Sequence, residues 1–234
     1  MLAHRIKQAA KATSLPLALV YRRYTVQVIT GIQRDEKSPM VFVATVNQIE
    51  TKEEGKAKTF SLPTELIEGM PDYGLFLSPN GLLAREGMSW AVQLEELGGD
   101  HPLFGFLQNF PKIEAPIAYE VKDIIARGHI RQKRIDPSEW FVGLTVAPSG
   151  LRLLRHIKKS TDESIQINEK VRGQTEAYPP RKFKPYEVFF DLGWFVHGFG
   201  FGPVKKLIFS TKNKLAPMVM SGHDFHVYLA PCKL

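Results

Sequence analysis

Two runs of alternating side chains, RYTVQVITGI and PMVFVATVNQI, stand on either side of the charged stretch QRDEKS and constrain this chain more than any other feature. In the first run Tyr24, Val26 and Val28 share one face of a strand, and Thr25, Gln27 and Ile29 share the other. The second is rich in β-branched and aromatic residues, which suit a pleated surface. QRDEKS is polar enough to turn in water, so the spacing predicts a hairpin across residues 33–38. TFSLP, YGLFLS and MSWAVQL supply further short strands, and MPDYG, SPNG and LGGDHP punctuate them.

The N-terminal LAHRIKQAAKAT reads as an amphipathic helix, with Leu2, Ile6 and Ala9 on one side. The fold class expected is α+β: mainly antiparallel sheet with three or four helices. FPKIEAP, following the aromatic LFGFLQNF, marks a boundary. It divides a sheet-rich half, residues 1–115, from a second half, residues 116–234, unless the two form one continuous domain.

Charge separates the halves. Residues 1–121 carry 12 Lys/Arg against 14 Asp/Glu, a balance of −2, whereas residues 122–234 carry 19 against 10, a balance of +9. That asymmetry points the second half towards a polyanion, nucleic acid before membrane, and leaves the near-neutral first half for protein neighbours. A hydrophobic content of 44% excludes wholesale disorder. The lone cysteine, Cys232, excludes an intrachain disulfide and fits a reducing cytoplasm. LPLALVY, the most apolar early run, is too short to span a membrane.

Three clusters are candidates for gripping phosphates. SGLRLLRHIKKSTDE has Leu151, Leu154 and Ile157 at helical spacing, with Ser149 able to cap. A helix there lines up Arg152, Arg155, His156 and Lys159 as a stripe able to follow a phosphate backbone. An ordinary solvated helix face makes the same pattern. IIARGHIRQKR gathers Arg127, Arg131, Lys133 and Arg134 beyond a helix ended by Gly128. YPPRKFKPY interleaves Arg181, Lys182 and Lys184 with Phe183 and two tyrosines, the mixture of cations and stacking planes used on single strands. A proline-rich connector packing its aromatics inward is the equal alternative.

Near the C-terminus, EVFFDLGWFVHGFGFGPVKK starts as a strand. Carried on as a strand, it puts Gly198, Gly200 and Gly202 on one bare face, with Phe199 and Phe201 opposite, just before Lys205 and Lys206. A bare face admits another backbone at close range. The glycines match neither a dinucleotide fingerprint nor a phosphate loop.

This glycine–aromatic loop followed by lysines resembles the glycine-rich loop of repeat-associated RNA-binding subunits in CRISPR effector complexes. The residues that carry the likeness are Gly198, Phe199, Gly200, Phe201, Gly202, Lys205 and Lys206. They depart from the family's pattern, which has two glycine pairs flanking a basic linker. The resemblance implies a ferredoxin-like fold that holds guide RNA by its backbone, within an antiviral ribonucleoprotein.

Catalytic readings are weaker. Neither a GxSxG elbow nor an HExxH helix occurs, and His223 and His226 lack a third ligand nearby. His156 or His197 with a tyrosine could serve metal-independent RNA cleavage. The expectation is therefore a non-catalytic, cofactor-free nucleic-acid-binding subunit of an assembly, on RNA or DNA, with other protein subunits as partners. A viral or phage structural protein and a metal-independent endoribonuclease stand as alternatives.

Overall fold

The computed structural model describes residues 1–12, 15–22, 24–34, 37–47, 57–87, 89–108, 111–121, 135–161, 163–170 and 182–233. They form two compact units, Met1–Phe110 and Pro111–Leu234. Sheets dominate both, every described pairing is antiparallel, and the helices are few. The α+β class expected from the sequence is the one that forms.

The first unit opens with helix α1 (Leu2–Ala12), followed by β1 (Leu17–Arg22), β2 (Thr25–Arg34), β3 (Lys37–Asn47) and β4 (Lys58–Leu62). These strands pair in the order β4-β1-β2-β3. The long hairpin closes with Arg34 opposite Lys37, after a register shift beyond Ile32. Helix α1 packs on β1, β2 and β3, burying Leu2, Ala3, Ile6 and Ala9 completely or nearly so. Strand β1 is buried at every residue from Leu17 to Tyr21, as expected of a strand with pairs on both sides and side chains covered on both faces. Thr30 donates its hydroxyl to the Leu15 carbonyl at 3.1 Å, which fixes the segment entering β1. The rest of this unit comprises α2 (Glu65–Glu68), the small sheet β5 (Leu75–Leu77), β6 (Leu82–Arg85) and β7 (Ala91–Gln93), and α3 (Phe104–Gln108).

The second unit holds two sheets. One orders β15 (Phe225–Leu229), β14 (Met218–Ser221), β13 (Lys206–Ser210) and β8 (Pro116–Glu120). The other orders β11 (Ser164–Lys170), β10 (Gly150–Lys158), β9 (Trp140–Ala147) and β12 (Tyr186–Asp191). Two tyrosines stitch the sheets together. Tyr119 on β8 donates to the Ala147 carbonyl ending β9 at 2.8 Å, and Tyr186 on β12 donates to the Ser210 carbonyl ending β13 at 2.7 Å. Burial pushes both phenols upward, that of Tyr186 to about 12. Helix α4 (Leu192–Gly198) follows β12 directly and packs on β9, β12 and β15.

Two expectations from the sequence fail here. Residues 150–158 form a strand, not a helix. The APSG stretch makes a tight turn, with Gly150 at φ +139° and paired with Ala147, so the chain folds straight back along β9. Strands on both sides then satisfy the backbone of β10, which outweighs the helical spacing of its leucines. Conversely, the strand EVFFD stops at Asp191. Its carboxylate accepts from the Trp194 backbone N–H at 3.2 Å and starts α4, with a 3-10 turn over Phe199–Phe201 after it.

Candidate nucleic-acid interface

The change from helix to strand rearranges the basic stripe. His156 turns inward and is wholly buried, on the side of β10 that holds Leu151 and Leu153. Arg152 and Arg155 are three apart, which in a regular strand means opposite faces. The register shift between Leu153 and Arg155 brings them to the same one: Arg152 lies beside Thr145, and Arg155 beside Gly143. Arg152 is exposed. Arg155 is engaged, because its guanidinium lies over the Phe189 ring at 5.5 Å and 3.8 Å from the Glu187 carboxylate. Phe189 in turn covers Gly143, where an added Cβ would come within 2.6 Å of the ring.

Lys159 is engaged too. It bonds Asp191 at 2.6 Å, reaches the Ser138 carbonyl, and lies 5.4 Å from the Phe141 ring centre. It therefore joins the turn after β10 to the residue that caps α4. Of that four-residue stripe, only Arg152 is exposed.

The glycine–aromatic segment offers no bare face. Gly198 ends α4 against the core, and a Cβ there would sit 2.6 Å from the sulfur of buried Met220. Gly200 is exposed with nothing within 4 Å of a would-be Cβ, so no contact within this chain requires it to be small. Gly202 adopts φ +141° beneath the Phe225 ring, a conformation that side chains disfavour. The aromatics pack on one another: Phe195 on Phe199 at 5.2 Å, and His197 edge-on to Trp194 and Phe201 at 6.1 and 5.6 Å. Lys205 is exposed, whereas Lys206 sits opposite Glu120 in the β13–β8 pair.

Lys182, Phe183 and Lys184 lead into β12, the lysines exposed and the ring half-buried. Arg127, Arg131, Lys133, Arg134 and Arg181 lie outside the described residues.

Charge asymmetry drew attention to the second half and away from α1. The helix has no acidic residue, and its buried face leaves His4 and Lys11 exposed, with Arg5 and Lys7 half-exposed on the flanks. Arg5 bonds Gln8 along the helix, while Lys7 pairs with Asp72 and holds that carboxyl below its ordinary value. The signal was legible: eleven residues that bury an apolar stripe and carry Arg5, Lys7 and Lys11 with no acid beside them.

Little here suggests chemistry. Among the described residues no group of three or more His, Cys, Asp or Glu is placed to hold a metal. His156 is sealed in the core, and His197 meets the Trp194 and Phe201 rings edge-on. No described helix is long and apolar enough to cross a membrane.

No protein-family model and no curated protein matches the sequence. The fold does have relatives among solved structures. A putative DNA polymerase III beta subunit from Eubacterium rectale superposes over 100% of this chain and 63% of its own, with TM-score 0.66 and 12% identity. The Pseudomonas aeruginosa DNA polymerase sliding clamp gives TM-score 0.66 at 10% identity, covering 100% of this chain and 64% of its own. The Helicobacter pylori beta clamp bound to a DNA ligase peptide gives 0.60 at 11%, covering 100% and 63%. The chain thus spans just under two thirds of the length of these relatives.

These likenesses overturn the resemblance drawn from the glycine loop. The fold is that of sliding clamps and not the ferredoxin-like fold of CRISPR RNA-binding subunits. With it go the guide-RNA, ribonucleoprotein and antiviral expectations. Five residues of glycine–aromatic alternation were a poor family signature, because α4 and its 3-10 turn bury Gly198, Phe199 and Phe201 in the core.

Proposed function

We propose that this protein is a non-catalytic DNA clamp, a processivity-type factor that holds duplex DNA through its phosphates while other proteins of the assembly act on it. One observation carries the reading: the whole chain, both units included, superposes on sliding clamps at TM-scores of 0.60 to 0.66. The formal charge of +7 and the acid-free α1 support it. Contacts of lysine and arginine with phosphate carry no sequence information, and a grip made of them can slide. His4, Arg5 and Lys11 on the first unit and Arg152 on the second are the residues we assign to it. Lys205 and the basic residues at 127–134 are further candidates. The work would be cytoplasmic, in keeping with a single thiol, and needs no cofactor.

Fluorescence anisotropy with duplexes of unrelated sequence, over a series of salt concentrations, tests the reading. Similar affinities that fall steeply with salt are expected. Absence of duplex binding at low salt, or a clear preference for RNA, would overturn it.

A further inference from the structure

A second basic surface lies on the Pro111–Leu234 unit, and only folding assembles it. The turn between β13 and β14, TKNKLAP, brings Lys212 and Lys214 to the segment that leads into β12. Lys214 lies 5.6 Å from the centre of the Tyr186 ring, and that ring is 6.3 Å from Phe183. Lys182 and Lys184 flank Phe183. All four lysines are exposed, and among the described residues none pairs with an acid.

The turn is held rigidly. The Ser210 hydroxyl donates to the Glu114 carbonyl and accepts from the Lys212 and Asn213 backbone N–H groups at 3.3 and 3.0 Å. Asn213 accepts from Leu215 N–H at 2.9 Å. The tip then presents Leu215, 57% exposed, between the lysines and the following proline.

We infer that this surface docks single-stranded DNA. Phosphate attraction alone would fit a duplex equally well. The half-exposed ring of Phe183 adds a stacking plane among the cations and Leu215 an apolar contact, and only an unpaired base has a free face to lay on that ring. The fixed turn keeps the cations spread, so a partner gains from them without ordering the loop first. The inference adds to the clamp reading a strand-selective site separate from the residues assigned to duplex phosphates.

The test uses the intact protein with two probes, a fluorescein-labelled oligothymidylate and a labelled duplex. The variants are K182Q/K184Q/K212Q/K214Q and Phe183→Ala. The expected result is a loss of about tenfold or more in single-strand affinity for each. The lysine variant should also lower the salt slope by ~0.7 per lost phosphate contact. Duplex affinity should stay unchanged in both. Since the four lysines are exposed, the lysine variant should keep the parent's thermal midpoint; Phe183 is half-buried, so Phe183→Leu serves as the reference should the alanine variant unfold. Unchanged single-strand affinity, or an equal loss on duplex, would overturn the inference. A parent that binds the oligothymidylate but no duplex would instead sink the clamp reading and leave this site standing.

Discussion

At Gly198 and Gly200, two positions apart, the same substitution should have opposite outcomes. Gly198→Ala puts a methyl 2.6 Å from the sulfur of fully buried Met220, so the thioether must shift within a packed core. Overpacking of that kind costs about 1–3 kcal/mol, read as a lowered urea midpoint. Gly200→Ala meets nothing and needs no unusual φ, so stability should hold or rise by up to about 1 kcal/mol as the unfolded chain loses freedom. A sequence shows two glycines in one alternating pattern; what each faces is a tertiary fact. His226, on β15, gives a second residue-level test. Burial holds its imidazole below the ordinary value of 6.5. The native state therefore favours the neutral ring: its contribution is complete above the unfolded value and is lost as pH falls through the depressed native one. Urea midpoints should drop between about pH 7 and about pH 5, and His226→Gln should shrink that drop. His101 is shifted in the same direction by the same cause and would account for a remainder.

At the scale of elements, α4 hangs on one carboxylate. Asp191 caps its N-terminus and also receives Lys159, with 13% of the Asp191 side chain and 25% of the Lys159 side chain exposed. Asp191→Ala removes cap and pair together and should cost about 2 kcal/mol. Asp191→Asn keeps an oxygen for the cap and loses the charge, so about 1 kcal/mol is expected. Equal losses in chemical denaturation would mean that the cap contributes nothing. Tyr186→Phe checks the stitching between the two sheets: it strands the Ser210 carbonyl and should cost about 1–3 kcal/mol. Element types were legible where periodicity and context agreed, as in α1, the β2–β3 hairpin and β12. They were misread where LRLLRHIKK satisfied two periods at once. Period alone cannot choose when neighbouring strands on either side decide the matter.

For the whole molecule, salt dependence is the most direct reading of function. Each phosphate contact with duplex DNA contributes ~0.9 to the slope of log affinity against log salt. R5Q/K11Q should therefore lower the slope by up to ~1.8, at similar size on every sequence tried. Lys159→Gln should leave the slope alone while lowering stability, because that ammonium is committed to Asp191. A slope unmoved by the α1 changes would remove the helix from the interface.

The sequence by itself determined the sheet-dominated class, the amphipathic α1, the opening hairpin and the excess of positive charge after residue 121. All are local or additive properties: side-chain alternation over a few residues, or a sum of charges. Which cations remain available was decided only by tertiary structure. Arg155 went to Phe189 and Glu187, Lys159 to Asp191 and Lys206 beside Glu120, while Lys212 and Lys214 came to join Lys182 and Lys184 from a distant stretch of chain. Opposite charges and rings find each other through strand register and bulges, which depend on pairings made across dozens of residues. The meaning of the glycines changed for the same reason, since a missing side chain is informative only once its neighbour in space is known.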